Sequence, residues 1–405
     1  MIYSRASFIV KTLAEEGYVA YFAGGWVRDY LLGSEANEID IATDAPPEVV
    51  LALFPKTVSV GISFGVILVI IDQMQFEVST FRRDLEYQDG RHPEGVLFSS
   101  PEEDAKRRDF TINGMFYDPL TKTLFDYVGG KSDLEKKIIR AIGDPEDRFR
   151  EDRLRMMRAV RFSARFGFSI VKKTEDAIKH NARTLFPAVS MERIWQELCK
   201  MASFPNFDQA LIHLMRLGLL QVIFPELEKI SQIDIDKRVA SFFQFPKETP
   251  TILFLIHLFP DHDLSFYIEL CRRLKTSSEE RKWVEFFISS QPLFYEKQDH
   301  FTWAHFYANP RSRTVLGIQL IILGKEHALT DEHQKREMLL APHIKRIQTQ
   351  SPLVTSSHLR ELGIKPGRQM GELLMQAEKI AINHHLNSSQ AVLAKLFEKD
   401  CKFPS

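Results

Sequence analysis

A strand carrying two carboxylates on one side, placed just after a glycine turn, leaves few folds open to this chain. Val19 to Phe22 is an apolar run, Gly24-Gly25 is a turn, and the segment to Gly33 reads as a short helix. Asn37-Glu38-Ile39-Asp40-Ile41 then reads as a second strand. Side chains at i and i+2 of a strand point to the same face, with Cα atoms roughly 6.6 Å apart. Glu38 and Asp40 are therefore expected to share metal ions while Ile39 and Ile41 face a core. Two divalent ions about 3.5–4 Å apart suit an in-line displacement at phosphorus. The glycine turn lets backbone N–H groups approach phosphate oxygens where the helix begins. Taken singly, an E-x-D is more often a solvated strand face, and a Gly-Gly pair merely a turn. In this order they read as a site that transfers a nucleotide.

The stretch Gly24-Gly25-x-Val27-Arg28-Asp29-x-Leu31-Leu32-Gly33, followed by Glu38-x-Asp40-Ile41-Ala42-Thr43, resembles motif A of the bacterial (class II) tRNA nucleotidyltransferase and poly(A) polymerase family. That family lies within the DNA polymerase beta superfamily. Further motifs recur in order. Arg107-Arg108-Asp109-Phe110-Thr111-Ile112-Asn113-Gly114-Met115 is similar to the RRDFTINAM signature, and Asp126-Tyr127-Val128-Gly129-Gly130-x-x-Asp133-Leu134 to the hinge motif. Glu151-Asp152-x-Leu154-Arg155-x-x-Arg158-Ala159-x-Arg161-Phe162 is similar to the E-D-x-x-R base-reading helix. Ser190-x-Glu192-Arg193-Ile194-x-x-Glu197-Leu198 is similar to the fifth motif. Two positions depart from the pattern: Glu38 stands where members mostly have Asp, and Gly114 replaces the usual alanine.

The resemblance implies an α+β chain: a polymerase-beta-like head with a small mixed sheet (residues 1–140), then all-α neck (141–205), body (206–330) and tail (331–405). It implies CCA addition to the 3′ end of tRNA from CTP and ATP, with Mg²⁺ on Glu38 and Asp40. A bacterial poly(A) polymerase is the alternative within the family, and a decayed RNA-binding protein the alternative outside it. Carried over residue by residue, Gly24, Gly25 and Arg28 meet phosphate, Arg108 and Asp109 the triphosphate and ribose, and Arg155, Arg158 and Arg161 the nucleotide. Asp152 and Arg155 mimic a Watson–Crick edge, with Asp152 accepting from the exocyclic amino group of C or A. Read from the residues alone, the same two side chains are an i, i+3 helix pair worth a few tenths of a kcal/mol.

Composition adds limits. The formal net charge is −1, so any footprint for nucleic acid must be local. Cys199, Cys271 and Cys401 are isolated and point to neither a disulfide framework nor a zinc site. Met1 to Ala14 lacks a signal-peptide core, and no run approaches the ~18 apolar residues of a spanning helix, so a cytoplasmic protein without a membrane partner is expected. Oligomeric state is not written in the sequence.

Strands are expected at Val19–Phe22, Glu38–Ala42, Gly65–Ile71, Gln75–Phe81, Phe110–Tyr117 and Leu124–Tyr127. Glu77, between Phe76 and Val78, is a candidate third carboxylate that activates the primer 3′-hydroxyl, or else a strand-surface charge. Arg82 to Asp104 reads as a long functional loop carrying Arg83, Asp84, Tyr87, Asp89 and Arg91. Asp147 to Phe166 reads as one helix, on which Arg165 continues the basic arc as a solvated residue, and helical patterns run on to the tail at Ser356–Leu396. His257, Asp261, His262 and Asp263 lie too close together for an H…HD…D metal order, and Leu255-Ile256-His257-Leu258 reads as a buried helix.

Overall fold

The apolar alternation of the first half becomes a seven-stranded mixed sheet in a computed structural model that describes residues 2–36, 38–61, 64–85, 95–260, 262–324 and 326–398. Tyr87, Asp89, Arg91, Asp261 and Cys401, singled out above, lie outside the described residues. The chain divides into two compact units, one ending at Ala240 and one beginning at Ser241.

In the first unit the strands are β1 (Ala20–Ala23), β2 (Asp40–Thr43), β3 (Thr57–Gly61), β4 (Val66–Ile71), β5 (Met74–Thr80), β8 (Met115–Asp118) and β9 (Thr123–Asp126), in spatial order β3-β4-β5-β2-β1-β8-β9. β1 runs antiparallel to β2 and β8, whereas β2 and β5 are parallel. Period-two alternation sorts the side chains between the two faces. Phe22 packs edge-on to Trp26 and Tyr3 beneath α1 (Ile2–Glu15), while Tyr21 and Ala23 share the other face with Ala42, Phe81 and Phe116.

The expected long loop is instead structured where it is described. β6 (Arg82–Asp84) pairs antiparallel with β7 (Val96–Phe98), and α4 (Pro101–Lys106) follows. Ser100 caps that helix by accepting from Glu103 N–H, with proline at its first position, a local start signal that a scan for apolar periodicity misses. The expected strand at Phe110–Tyr117 is broken as well: Thr111–Asn113 form a 3₁₀ turn before β8 begins. The turn is set by the Asp109 carboxylate, which accepts from Phe110 N–H and from the Asn113 amide.

The single helix expected at Asp147–Phe166 is two. The sheet module is followed by α5 (Gly130–Glu135), α6 (Pro145–Glu151) and α7 (Leu154–Phe166). The break falls at Asp152, at φ −140° and ψ 104°, whose own carboxylate accepts from Leu154 N–H at 3.1 Å. An aspartate that bonds the backbone two residues on competes with helix continuation. α7 buries Met156, Met157 and Val160 and ends at Gly167 in the left-handed conformation (φ 66°, ψ 29°). Further helices at Lys172–Asn181, Met191–Ala202 and Phe207–Arg216 continue this unit.

The second unit is helical throughout its described residues. It includes a 23-residue helix, Glu326–Gln348, within the stretch expected to be helical but with bounds that were not read from the sequence. Its last three helices enclose their own core of Val354, Leu359, Met370, Ala377, Ala381, Val392 and Leu396. His257 closes the helix Thr251–Ile256 inside a cage of Phe242, Phe245 and Phe287, and burial pulls it down to about 4 despite its contact with the Leu253 carbonyl. Asp263 caps the helix Leu264–Arg273, and His262 stacks on Phe266. These residues are structural. No helix among the described residues is long and apolar enough to cross a membrane.

Candidate active site

Register, more than side-chain reach, assembles the site. Ala23, the last residue of β1, is the cross-strand partner of Asp40, the first residue of β2. The glycine turn that leaves β1 therefore emerges beside the carboxylate that opens β2. Gly24 sits at φ 63° and ψ −117°, a combination that glycine adopts freely and other residues avoid. An added Cβ there would lie 2.8 Å from Arg108 Nη1, so the missing side chain is the space that the Arg108 guanidinium occupies. The helix that follows, α2 (Gly25–Leu31), has only seven residues, so close backbone approach at the turn matters more than any helix dipole.

Glu38 lies just outside β2 and is exposed, Ile39 and Ile41 are buried, and Asp40 keeps an edge open to the cavity, as the alternation requires. Enough protein surrounds Asp40 that desolvation, with help from Glu77 and Glu38 and against Arg108, pushes its carboxyl up to about 6. Glu77 precedes Val78, the parallel partner of Ile41, and so stands level with Asp40 on the same face. The acidic group is thus three neighbouring carboxylates, Glu38, Asp40 and Glu77, with Arg108 opposing them.

A cavity of about 510 Å³ opens at this point. Gly24, Gly25, Arg28, Glu38, Asp40, Arg108, Asp109, Asp152, Arg155, Arg158 and Arg161 all line it, joined by Arg107, Asn113, Phe162 and Arg165. Of the candidate catalytic and nucleotide-binding residues, Glu77 is the one not among its walls. Seven arginines against four carboxylates leave a formal surplus of three positive charges, in a chain whose total is −1. A polyanion is the complement of such a surface.

Sequence reasoning missed the residues that aim these groups. Asp104 is fully buried and holds Arg107 at 2.8 Å and Arg108 at 3.0 Å, and it also accepts from Arg82 N–H. Burial alone would raise Asp104; the two arginines bring it below the ordinary carboxylate range. Asp109 follows the same logic: burial opposes its charge, yet Arg158, Asn113 and Arg155 hold it down to about 2. Arg158 closes on Asp109 at 2.6 Å, and Arg161 pairs with buried Glu197 at 3.0 Å. Phe162 is the platform beneath them, with the guanidinium carbons of Arg28, Arg158 and Arg161 within 5.4 Å of its ring centre.

The partners of four of these side chains were not read from the sequence. Arg28 is buried and held by Asp29 and Asn113 while facing the cavity. Arg165, read as solvated, pairs with Asp29 at 3.2 Å. Asp152 and Arg155 do not pair with each other. Arg155 binds Glu151 at 2.8 Å and the Arg107 carbonyl at 3.1 Å, and Asp152 faces Arg193 at 3.9 Å. The helix break that separates the two residues frees the Asp152 carboxylate from the i, i+3 pair that a continuous helix would offer.

Among the described residues no three His, Cys, Asp or Glu side chains are grouped closely enough to hold a metal alone. The donor set nevertheless fits Mg²⁺, which takes one or two carboxylates and draws its other ligands from substrate phosphates and water. Crowded carboxylates, as at Asp40, are what such an ion stabilises.

Residues 20–140 match the poly(A) polymerase head domain, and residues 167–230 match a domain described as a probable RNA and SrmB-binding site of polymerase A. The CCA-adding enzyme of Lactobacillus helveticus is 33% identical over 403 residues, covering 98% of this chain and 97% of that protein. The CCA-adding enzyme of Geobacillus stearothermophilus is 46% identical over 245 residues, 60% of this chain and 59% of that one. Among solved structures, the Bacillus stearothermophilus CCA-adding enzyme in complex with CTP superposes with a TM-score of 0.82 at 30% identity, covering 98% of this chain and 97% of that one.

Proposed function

Because the chain belongs to the CCA-adding enzymes, the tRNA nucleotidyltransferases, we propose that its arginine-lined cavity takes CTP or ATP and transfers the nucleotide to the 3′ end of a tRNA. The observation that carries this is the Ala23–Asp40 register pair, which sets paired carboxylates against the glycine turn under a surplus of arginines.

Glu38 and Asp40 would hold divalent ions, Mg²⁺ by the chemistry of the donors, which when bound neutralise phosphate charge and acidify a coordinated hydroxyl. Arg108, Arg158 and Arg161 receive the triphosphate, and Gly24 and Gly25 let it approach the backbone. Glu77 takes the proton of the primer 3′-hydroxyl. The hydroxyl oxygen bonds to the α-phosphorus as the bridge to the β-phosphate breaks, and pyrophosphate leaves with its electron pair. No nucleic-acid template enters. Asp152 accepts from the exocyclic amino group of cytosine or adenine and Arg155 donates to ring acceptors, so uracil and guanine are refused. Head, neck, body and tail divide as 1–140, 141–205, 206–330 and 331–405, with the tail meeting tRNA.

The test is incubation with tRNA ending before CCA, plus CTP and ATP. Addition of C, C and A and then arrest is expected, and growth by many adenylates would instead identify a poly(A) polymerase. Asp40→Ala should abolish incorporation. Unchanged incorporation would remove the catalytic assignment and leave an RNA-binding protein.

A further inference from the structure

The side-chain run that ties the glycine turn to α7 has one uncharged member. Arg165 donates to Asp29, Arg28 donates to Asp29 and to the Asn113 side-chain oxygen, the Asn113 amide donates to Asp109, and Arg158 donates to the other Asp109 oxygen. Arg158 and Arg165 lie seven residues apart, about two turns, so the run leaves and rejoins one face of α7. Between those ends it passes through the turn after β1 and the 3₁₀ turn before β8.

Asn113 is buried, with Oδ1 2.5 Å from Arg28 Nη1 and Nδ2 3.0 Å from Asp109 Oδ1. A carboxamide offers a cation its acceptor and an anion its donor from one planar group. Aspartate would offer Asp109 a like charge, and an aliphatic side chain would offer neither partner anything. Asp109 depends on this contact for its orientation: Oδ1 takes Phe110 N–H and the Asn113 amide, which leaves Oδ2 aimed at Arg158.

We propose that Asn113 is a positioning residue for the incoming nucleotide, fixing Arg28 against Asp109 and, through Asp109, directing Arg158 into the cavity. The inference rests on the nucleotide-binding role proposed for that cavity. It treats Asn113 as more than a structural link in the turn.

The test is CTP binding by isothermal titration on the full chain with magnesium present, at pH 8 and pH 6, for wild type, Asn113→Asp, Asn113→Ala and Thr111→Val. Thr111 donates to Asp133 at 2.7 Å from the same 3₁₀ turn and lies outside the run, so Thr111→Val lowers thermal stability and leaves CTP affinity unchanged. Asn113→Asp should weaken CTP binding about ten- to hundredfold at pH 8. Measured against wild type at the same pH, it should recover at least threefold at pH 6, where a protonated carboxyl again donates to Asp109, whereas Asn113→Ala loses affinity relative to wild type at both pH values. Wild-type affinity in Asn113→Asp, or a loss without any recovery at pH 6, overturns the inference while leaving the cavity's role intact. Failure of the wild type to bind CTP sinks both.

Discussion

Replacing Gly24 by alanine separates strain from function, because two distinct penalties meet at that residue. A side chain at φ 63° and ψ −117° costs about 1–3 kcal/mol in backbone strain. The new Cβ would also lie 2.8 Å from Arg108 Nη1, well inside contact, so the guanidinium must retreat by roughly half an ångström or more. Arg108 cannot swing freely, because Asp104 holds it through Nε at 3.1 Å and Nη2 at 3.0 Å and its guanidinium lies 5.0 Å from the Phe116 ring centre. If the displaced guanidinium loses one charge-assisted bond to the triphosphate, the loss is about 1.5–3 kcal/mol, or roughly ten- to hundredfold in kcat/KM. Gly33→Ala is the control: its φ is 68°, but no atom lies within 4 Å of the added Cβ. Both variants should melt a few degrees lower, at about 2–4 °C per kcal/mol for a unit of this size. Only Gly24→Ala should lose activity in steady-state CTP incorporation into tRNA lacking CCA. Equal kcat/KM in the two variants would refute the idea that the empty Cβ position serves Arg108.

Gly114→Ala should destabilise the first unit by about 1–3 kcal/mol, because its Cβ would lie 2.7 Å from Val128 Cγ2 and 3.1 Å from Ile142 Cδ1. Adding Val128→Ala should restore most of the loss in a thermal melt, and additive penalties would rule out the packing explanation. Arg155→Ala should admit UTP and GTP more than it weakens tRNA binding, as measured by competing nucleotides and by filter binding. A uniform loss with every nucleotide would mean that its ties to Glu151 and the Arg107 carbonyl are its whole role. His257 is held neutral, with its protonation pulled down from about 6.5 to about 4, so its contribution is complete above pH 6.5 and fades as the pH falls toward 4. The cost is on the order of 3 kcal/mol. Urea unfolding of the second unit should therefore weaken over that window, less so in His257→Leu, and identical pH profiles for the two proteins would contradict this.

What was legible in the sequence was local. Glycine at a forced turn and isoleucines alternating with carboxylates depend only on near neighbours, so the run from Val19 to Ala42 announced its two strands and the turn between them. The break at Asp152 was hidden because residues 147–166 carry helix-forming side chains throughout, and one aspartate–backbone bond outweighs that preference. Asp104 gave no signal and Asn113 only its place in a motif, since each matters through partners brought to it by the fold: Arg82 N–H for the first, Arg28 for the second. β3 stayed unseen because Val58 and Val60 point outward on a sheet edge, and exposed apolar residues read as noise.

The partnership of Ala23 with Asp40 also sets what the chain tolerates. Glu35 and Ala36 lie outside any helix or strand, and length there can change by a residue at small entropic cost. Within β2 the same insertion would reverse every side chain beyond it, moving Ile41 to the opposite face of the sheet. Diversification is thus open on one side of Asp40 and closed on the other.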